Sequence, residues 1–297
     1  MGHPCGRRAP SPRAPVTLFA AQLVAGATVA LLATWAGLSL GKPLAINYRG
    51  RSIPAVLGIP IVASVCWAVP VALIAVALGE ERPTLKPYGA ILLGILLVFG
   101  AGLYDDLQPV RTRGLVHQIR LAFAGQLTSG VVKLTLIVAA SCLVAFSITG
   151  PGSPPTWLCV PVLAGSANLW NLFDVRPGRA LKLFLLAAIA LLGAVHDPAS
   201  DAGLLLATSL GAAAAILAFD ARERAMLGDS GANVLGFVIG VAVCSFASTA
   251  GLVVGLIVIV ILHTLAETVT LSRIIEATPP LRWFDQLGRR KDISDRP

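Results

Sequence analysis

Three short polar runs, each at the edge of an apolar stretch, carry the residues of this 297-residue chain whose types and spacing could do chemistry. The first is Gly-Leu-Tyr-Asp-Asp-Leu at 102–107, where Asp105 and Asp106 close an apolar helix. Successive side chains on a helix diverge by about 100°, so the two carboxylates are poorly placed to grip one small ligand together. One can hold a divalent cation while the other takes a second role. Mg2+ suits such a site, because it binds through one or two carboxylates and completes its shell with waters and substrate phosphates. A solvated helix cap is the plainer reading, yet carboxylates at a helix C-terminus oppose the macrodipole.

The second run, 166–182, places Asn168, Asn171 and Asp174 at i, i+3 and i+6. On a helix this spacing aligns three polar groups along one stripe of an otherwise apolar segment. Amides in an apolar medium cost free energy unless they are paired or wet, so the stripe is expected to line a polar crevice. Arg176, Arg179 and Lys182 follow at once, a cluster suited to phosphate, with the arginines offering bidentate geometry. The competing reading is a hydrogen-bonded seam between helices followed by charged anchors. The third run, 218–236, sets Asp229 in Gly-Asp-Ser-Gly just before an apolar segment that opens at Gly231. Asp229 is there either an ordinary helix cap or part of a site where Gly228 and Gly231 let backbone N–H groups approach an anion or a metal–phosphate group.

The remaining polar residues carry weaker signals. Arg49 and Arg51, in the loop 47–58, read as anchors ahead of phosphate ligands. Asp220, Arg222, Glu223 and Arg224 can pair among themselves and take no specific role. His263 and Glu267 share one helix face, a hydrogen-bonded contact in preference to a proton site. Four of the five cysteines lie in apolar segments without ligand spacing and read as packing residues.

Composition sets the elements that must position these groups. Hydrophobic residues make up 56% of the chain and charged residues 13%, with a mean hydropathy of +0.81. A soluble domain is about a quarter charged, so too few charges remain here to cover a core against water. Disorder is excluded by the same hydrophobicity. The chain belongs in a bilayer.

A membrane span needs about 20 mostly apolar residues, and nine stretches are candidates: 16–41, 53–79, 88–104, 130–148, 156–173, 182–196, 202–219, 231–248 and 251–272. The run from Val16 to Leu40 is too long for the core of a signal peptide and reads as a retained helix. The expected architecture is all-α, a polytopic bundle of nine to ten transmembrane helices. It divides into an irregular N-terminal segment (1–15), a single transmembrane domain (16–272) and a basic cytoplasmic tail (273–297).

A net charge of +8 would point a soluble protein toward nucleic acid. In a membrane protein Lys and Arg mark the cytoplasmic side instead, and no nucleic acid is expected. With the 42–52 connection inside, 18 of the 23 cations fall on the cytoplasmic face. Asp105, Asp106, Asp174 and Asp229 fall on that face as well. The pattern suits a phosphate-bearing substrate from the cytosol and a second substrate from the lipid.

Gly-Leu-Tyr-Asp-Asp-Leu, Asn-Leu-Trp-Asn-Leu-Phe-Asp and Met-Leu-Gly-Asp-Ser-Gly-Ala-Asn, in this order and spacing, resemble the motifs of the polyprenyl-phosphate N-acetylhexosamine-1-phosphate transferases. This is glycosyltransferase family 4, which includes phospho-N-acetylmuramoyl-pentapeptide transferase. The resemblance covers most of the chain, from residue 42 to 248, and looks like a divergent branch. It implies a Mg2+-dependent enzyme of the plasma membrane, its active site facing the cytoplasm, in cell-envelope or peptidoglycan precursor synthesis. A polyprenyl phosphate would attack the β-phosphate of a UDP-amino sugar, releasing UMP. The bilayer and both substrates are the implied partners, with a homodimer as a candidate assembly.

Position by position, Asp105 and Asp106 match the family's paired aspartates, one of them acting on the lipid phosphate. Asn168, Asn171 and Asp174 match its motif around the nucleotide and diphosphate. Asp229 matches the Mg2+-binding aspartate, with Asp106 expected to share the metal. Arg120 and Lys133 are the candidates for the basic residue that commonly follows the aspartate pair.

The chain also departs from the family. Pro177 stands where a second aspartate is usual, and the histidine-rich loop near the carboxyl end has no counterpart in the stretch from Ser272 onward. Arg282, Arg289 and Arg290 are the cations located to take over diphosphate contacts. These departures sustain an alternative, a catalytically altered paralogue acting as a lipid-phosphate-binding envelope factor. A transporter ranks third, since transporters set ionisable residues near the midplane within paired repeats.

Overall fold

The computed structural model describes residues 14–40, 44–47, 49–77, 85–108, 124, 128–194, 200–268 and 271–289. Each of the nine apolar stretches forms a long helix: α1 (Ala14–Leu40), α2 (Gly58–Ala77), α3 (Leu85–Asp106), α4 (Ser129–Thr149), α5 (Pro154–Phe173), α6 (Arg179–Ala194), α7 (Asp201–Ala221), α8 (Gly228–Phe246) and α9 (Thr249–Thr268). Two short helices, α10 (Leu271–Ala277) and α11 (Pro279–Gln286), occupy the segment expected as a tail. An antiparallel hairpin of β1 (Leu44–Ile46) and β2 (Ser52–Pro54) precedes α2. The stretch expected from residue 53 therefore begins as a strand and turns helical only at Gly58.

Among the described residues, α1, α3, α4, α7, α8 and α9 are long and apolar enough to cross a membrane. The molecule is an all-α, multi-pass membrane bundle.

Local chemistry sets the helix ends. Thr128 caps α4, its Oγ1 accepting the Val131 N–H at 3.3 Å, and Ser200 caps α7 by accepting from Gly203 N at 3.3 Å. The prolines Pro154 and Pro155 open α5, where a missing N–H leaves no bond unmade. Hydroxyls inside the bundle turn back on their own helices, as Ser141 Oγ does to the Ile137 carbonyl at 2.8 Å.

The packing centres on α8, which touches α2, α3, α5, α6 and α7. In its span 83% of residues are buried, against 11% for α9. Lipid tails are as apolar as leucine, so helices in a bilayer associate through close packing and polar contacts. The sequence of α8 supplies the small residues this requires: a Cβ on Gly236 would collide with the Ser166 carbonyl of α5. By contrast α9 leaves Val254, Ile257, Val260 and Ile261 exposed, a β-branched surface of the kind that lipid tails solvate.

Candidate active site

The end of α3, the start of α4, the end of α5 and the start of α8 meet at one end of the bundle. Asp105 lies in the last turn of α3 and Lys133 near the start of α4. The Lys133 ammonium donates to Asp105 Oδ2 at 3.1 Å and to Asp229 Oδ2 at 2.7 Å, and all three residues are buried. Asn171, on the last turn of α5, donates its amide to the same Asp229 oxygen at 3.3 Å. Three helices thus contribute one buried ion network. Breaking such a network leaves a charge without compensation, which costs about 3–5 kcal/mol.

Asp106 points elsewhere. Its two carboxylate oxygens accept the backbone N–H groups of Asp229 and Ser230, each at 3.0 Å. The residue preceding α8, Leu227, makes no side-chain cap, so the cap arrives from α3 through space. Anions are favoured at this end of a helix by its unsatisfied N–H groups and its dipole. Asp174, which follows α5, takes a hydrogen bond from the backbone of Gly228 in the same turn. Asp229 is therefore not an ordinary cap of its own helix; Asp106 and Asp174 do that work.

Two glycines make this approach possible. Gly102 of α3 lies so close to α8 that a Cβ would sit 2.6 Å from the Asp229 carbonyl oxygen. Gly228 adopts φ +69°, and a Cβ there would come within 2.8 Å of Asp106 Oδ2. Burial first, and then the neighbouring carboxylates Asp220, Asp229 and Asp106, push the Asp174 carboxyl well above its usual range.

Residues without a role in the sequence reading support the site from behind. Asp220, buried at the end of α7, accepts from Gly178 N at 2.6 Å and Leu227 N at 3.2 Å. It ties the turn after Asp174 to the turn before α8. Glu223, at φ 56°, receives Asn47 Nδ2 at 2.9 Å and the Arg49 guanidinium at 3.2 Å. The hairpin closes over this loop through Met226 N to the Pro54 carbonyl at 2.8 Å. Arg49 thus ties the hairpin to this loop. Asn168, the first amide of the stripe, meets His263 Nε2 of α9 at 3.0 Å. His263 Nδ1 lies 2.9 Å from the Ile259 carbonyl. A carbonyl can only accept, so Nδ1 carries the proton and Nε2 accepts from Asn168.

The expected phosphate cluster divides. Arg179 is 2% exposed and grips Asp285 of α11 with Nε at 2.8 Å and Nη2 at 3.1 Å, while Nη1 reaches Ser272. The Lys182 ammonium donates to the carbonyls of Phe284, Asp285 and Leu287 at the C-terminal end of α11. Both cations are engaged by the tail and not turned toward the carboxylates, because a helix C-terminus and a buried Asp offer them complete partners. Arg176 pairs with Glu276 at 3.0 Å on the surface. Arg289 donates to Asp285 at 2.7 Å and to the Pro177 carbonyl at 3.2 Å. Arg282 is exposed on α11. Arg120 and Arg290 lie outside the described residues.

The carboxylate oxygens of Asp105 and Asp229 are hard donors of the kind Mg2+ takes, and one oxygen of each is engaged by the Lys133 ammonium. Among the described residues no three His, Cys, Asp or Glu side chains gather into a complete ligand set. Cys66, Cys142, Cys159 and Cys244 are free thiols within helices, Cys159 and Cys244 buried and Cys66 and Cys142 half-buried.

Comparison with curated proteins finds no match. The model of the family described as glycosyl transferase family 4 matches residues 88–247. That span is more than half of the chain and contains every carboxylate, amide and ammonium group of the network just described, and the chain belongs to glycosyl transferase family 4.

Proposed function

We propose that the protein transfers a sugar-1-phosphate, of the N-acetylhexosamine or N-acetylmuramoyl type, from a UDP-sugar to a membrane polyprenyl phosphate. The observation that carries this reading is the Asp105–Lys133–Asp229 network, set against the amide-bearing start of α8 at one end of a membrane bundle. In the reaction an oxygen of the lipid phosphate bonds to the β-phosphorus, and the bond to the bridging oxygen breaks. UMP leaves with that oxygen. Such a displacement needs little covalent chemistry from a protein; it needs alignment and relief of charge repulsion.

The residues present support those tasks. Asp106, expected beside Asp229 at the metal, has both carboxylate oxygens on the backbone N–H groups of α8, so Asp229 and Asp105 would hold Mg2+, which when bound supplies neutralisation of the diphosphate charge. Lys133 keeps the two carboxylates together and adds a cation beside the phosphates. Asn168 and Asn171 offer amides to the sugar nucleotide. Asp106 and Asp174 hold the first turn of α8 in place. The Arg176–Glu276 pair is solvent-exposed and so contributes little, which lets Arg176 exchange Glu276 for a phosphate. The excess of cations on one side of the spans supports a site facing the cytoplasm, at the plasma membrane, in envelope or peptidoglycan precursor synthesis.

The test is UMP release by the purified protein supplied with polyprenyl phosphate and a series of UDP-amino sugars, with and without Mg2+. Release that needs the metal and is abolished by Asp229→Asn is expected. Absence of UMP from every donor tried would overturn the reading. One observation favours the alternative, a binding protein without turnover: Pro177 replaces the usual acid and the tail engages Arg179 and Lys182. That alternative expects polyprenyl phosphate to bind while no UMP appears.

A further inference from the structure

We propose that α11 is a membrane-surface helix, seated by its outward face in the headgroup layer of an anionic leaflet while its inward face is clamped to the bundle. The two faces are chemically distinct. Asp285 is buried against Arg179. Pro280 and Trp283, at i and i+3, fall on the opposite side of the helix, and Leu287 follows its last residue. Trp283 is 67% exposed and Leu287 51% exposed.

An apolar face turned to water would be unfavourable, and three features identify what covers it. The first is continuity: α10 and α11 come next in the chain after α9, a helix long and apolar enough to cross a membrane whose Val and Ile side chains are exposed. The second is position. Asp285 and the α11 carbonyls are held by Arg179 and Lys182 in the first turn of α6, so α11 lies at the level of the helix ends and not of the bilayer interior. The third is charge. Arg273 of α10 and Arg282 of α11 are exposed, and the sequence continues with Arg290 and Lys291. Basic residues near the surface draw a segment to anionic headgroups, and tryptophan sits by preference at the boundary between apolar and wet.

The consequence reaches the site. The helix that rests on the lipid also carries Asp285, which Arg179 grips, and leads into Arg289, which holds the Pro177 carbonyl in the turn after Asp174. Lipid contact and the geometry of that turn are mechanically joined. The inference needs the membrane placement of the bundle but not the transferase chemistry, so the two can fail separately.

The experiment uses the full chain in lipid nanodiscs. Subtracting the fluorescence of Trp283→Phe from that of the unaltered protein isolates Trp283 among the five tryptophans; Trp283→Tyr serves the same subtraction should the Phe variant fail to fold. In discs of phosphatidylglycerol brominated near the headgroup, loss of the Trp283 signal is expected, with little quenching by aqueous iodide. Discs of brominated phosphatidylcholine should quench less. Strong iodide quenching with no effect of bromine overturns the proposal, since the face then lies in water. Protection from both quenchers overturns it too, because a protein surface, such as a second copy of the chain, then covers the face. Equal quenching in the two lipids overturns the anionic preference.

Discussion

Lys133 of α4 and Asp229 of α8 come within 2.7 Å of one another although 96 residues separate them in sequence. The ammonium reaches Asp105 as well. Two buried carboxylates so close would repel; a single cation between them holds three helices in register and leaves the trio with an excess negative charge suited to a divalent ion.

Replacing Lys133 by Met should be severe in both stability and activity. Removing one member of a buried ion network costs about 3–5 kcal/mol, and UMP release should fall by at least about 100-fold, equivalent to roughly 2.7 kcal/mol of barrier. Thermal unfolding in detergent and UMP release, measured on the same preparation, check the two effects. Asp229→Asn should retain more stability, since the amide still pairs with Lys133, yet lose activity to a comparable extent.

The cap on α8 admits a separate test. Gly228→Ala forces a residue with a Cβ into positive φ and against Asp106, at a cost of about 1–2 kcal/mol. Asp106→Ala should lose about 1–2 kcal/mol of cap energy. The two losses should not add, because they break the same contact; a double-mutant cycle on unfolding midpoints reads this directly.

Arg179 and Asp285 predict another cycle. Arg179→Met alone leaves Asp285 buried with half of its partners and should destabilise by about 3–5 kcal/mol. Arg179→Met combined with Asp285→Leu should recover part of the loss. Arg179→Lys should rescue poorly, since lysine lacks the two-pronged geometry seen here.

The same pair sets an acid limit for docking of the tail. Burial pushes the Asp285 carboxyl up, but the hydrogen bond and charge of Arg179, followed by Arg289 and Lys182, outweigh it and hold the carboxyl below its usual range. A carboxylate depressed in the folded state contributes stability that is present above its ordinary value and lost as the pH falls through the folded one. Docking of α11 should therefore hold from neutral pH to about pH 4, the ordinary carboxylate range, and loosen below it. Hydrogen exchange over residues 279–289, corrected for intrinsic rates, checks the direction.

His263→Phe removes the acceptor of the Asn168 amide. A lost hydrogen bond of this kind is worth about 0.5–1.5 kcal/mol. It should appear as a rise of up to roughly tenfold in KM for the UDP-sugar with kcat less affected, and be partly restored by His263→Gln.

Much of this site was legible along the chain. Asp105, Asp174, Asn168, Asn171 and Asp229 were visible because polar residues in an apolar run are conspicuous, and their helical spacing states which of them share a face. The choice between Arg120 and Lys133 was not legible, since the two lie equally plausibly beyond the aspartate pair; the structure brings Lys133 into the network, and Arg120 lies outside the described residues. Asp220, Glu223 and Asp285 gave no signal, as each sits among other charges with which it could have paired locally.

The sequence by itself determined the membrane class, the apolar stretches that form the long helices among the described residues and the identity of most polar groups at the candidate site. Those properties follow from composition and from a period of 3.6 residues, which act over a few turns of chain. Only the tertiary structure decided that Asp106 caps α8 in place of Asp229, that Lys133 bridges Asp105 and Asp229, and that Arg179 and Lys182 serve the tail. The reason is physical: a charged side chain takes its role from the partner it meets in space, and close packing of distant helices selects that partner.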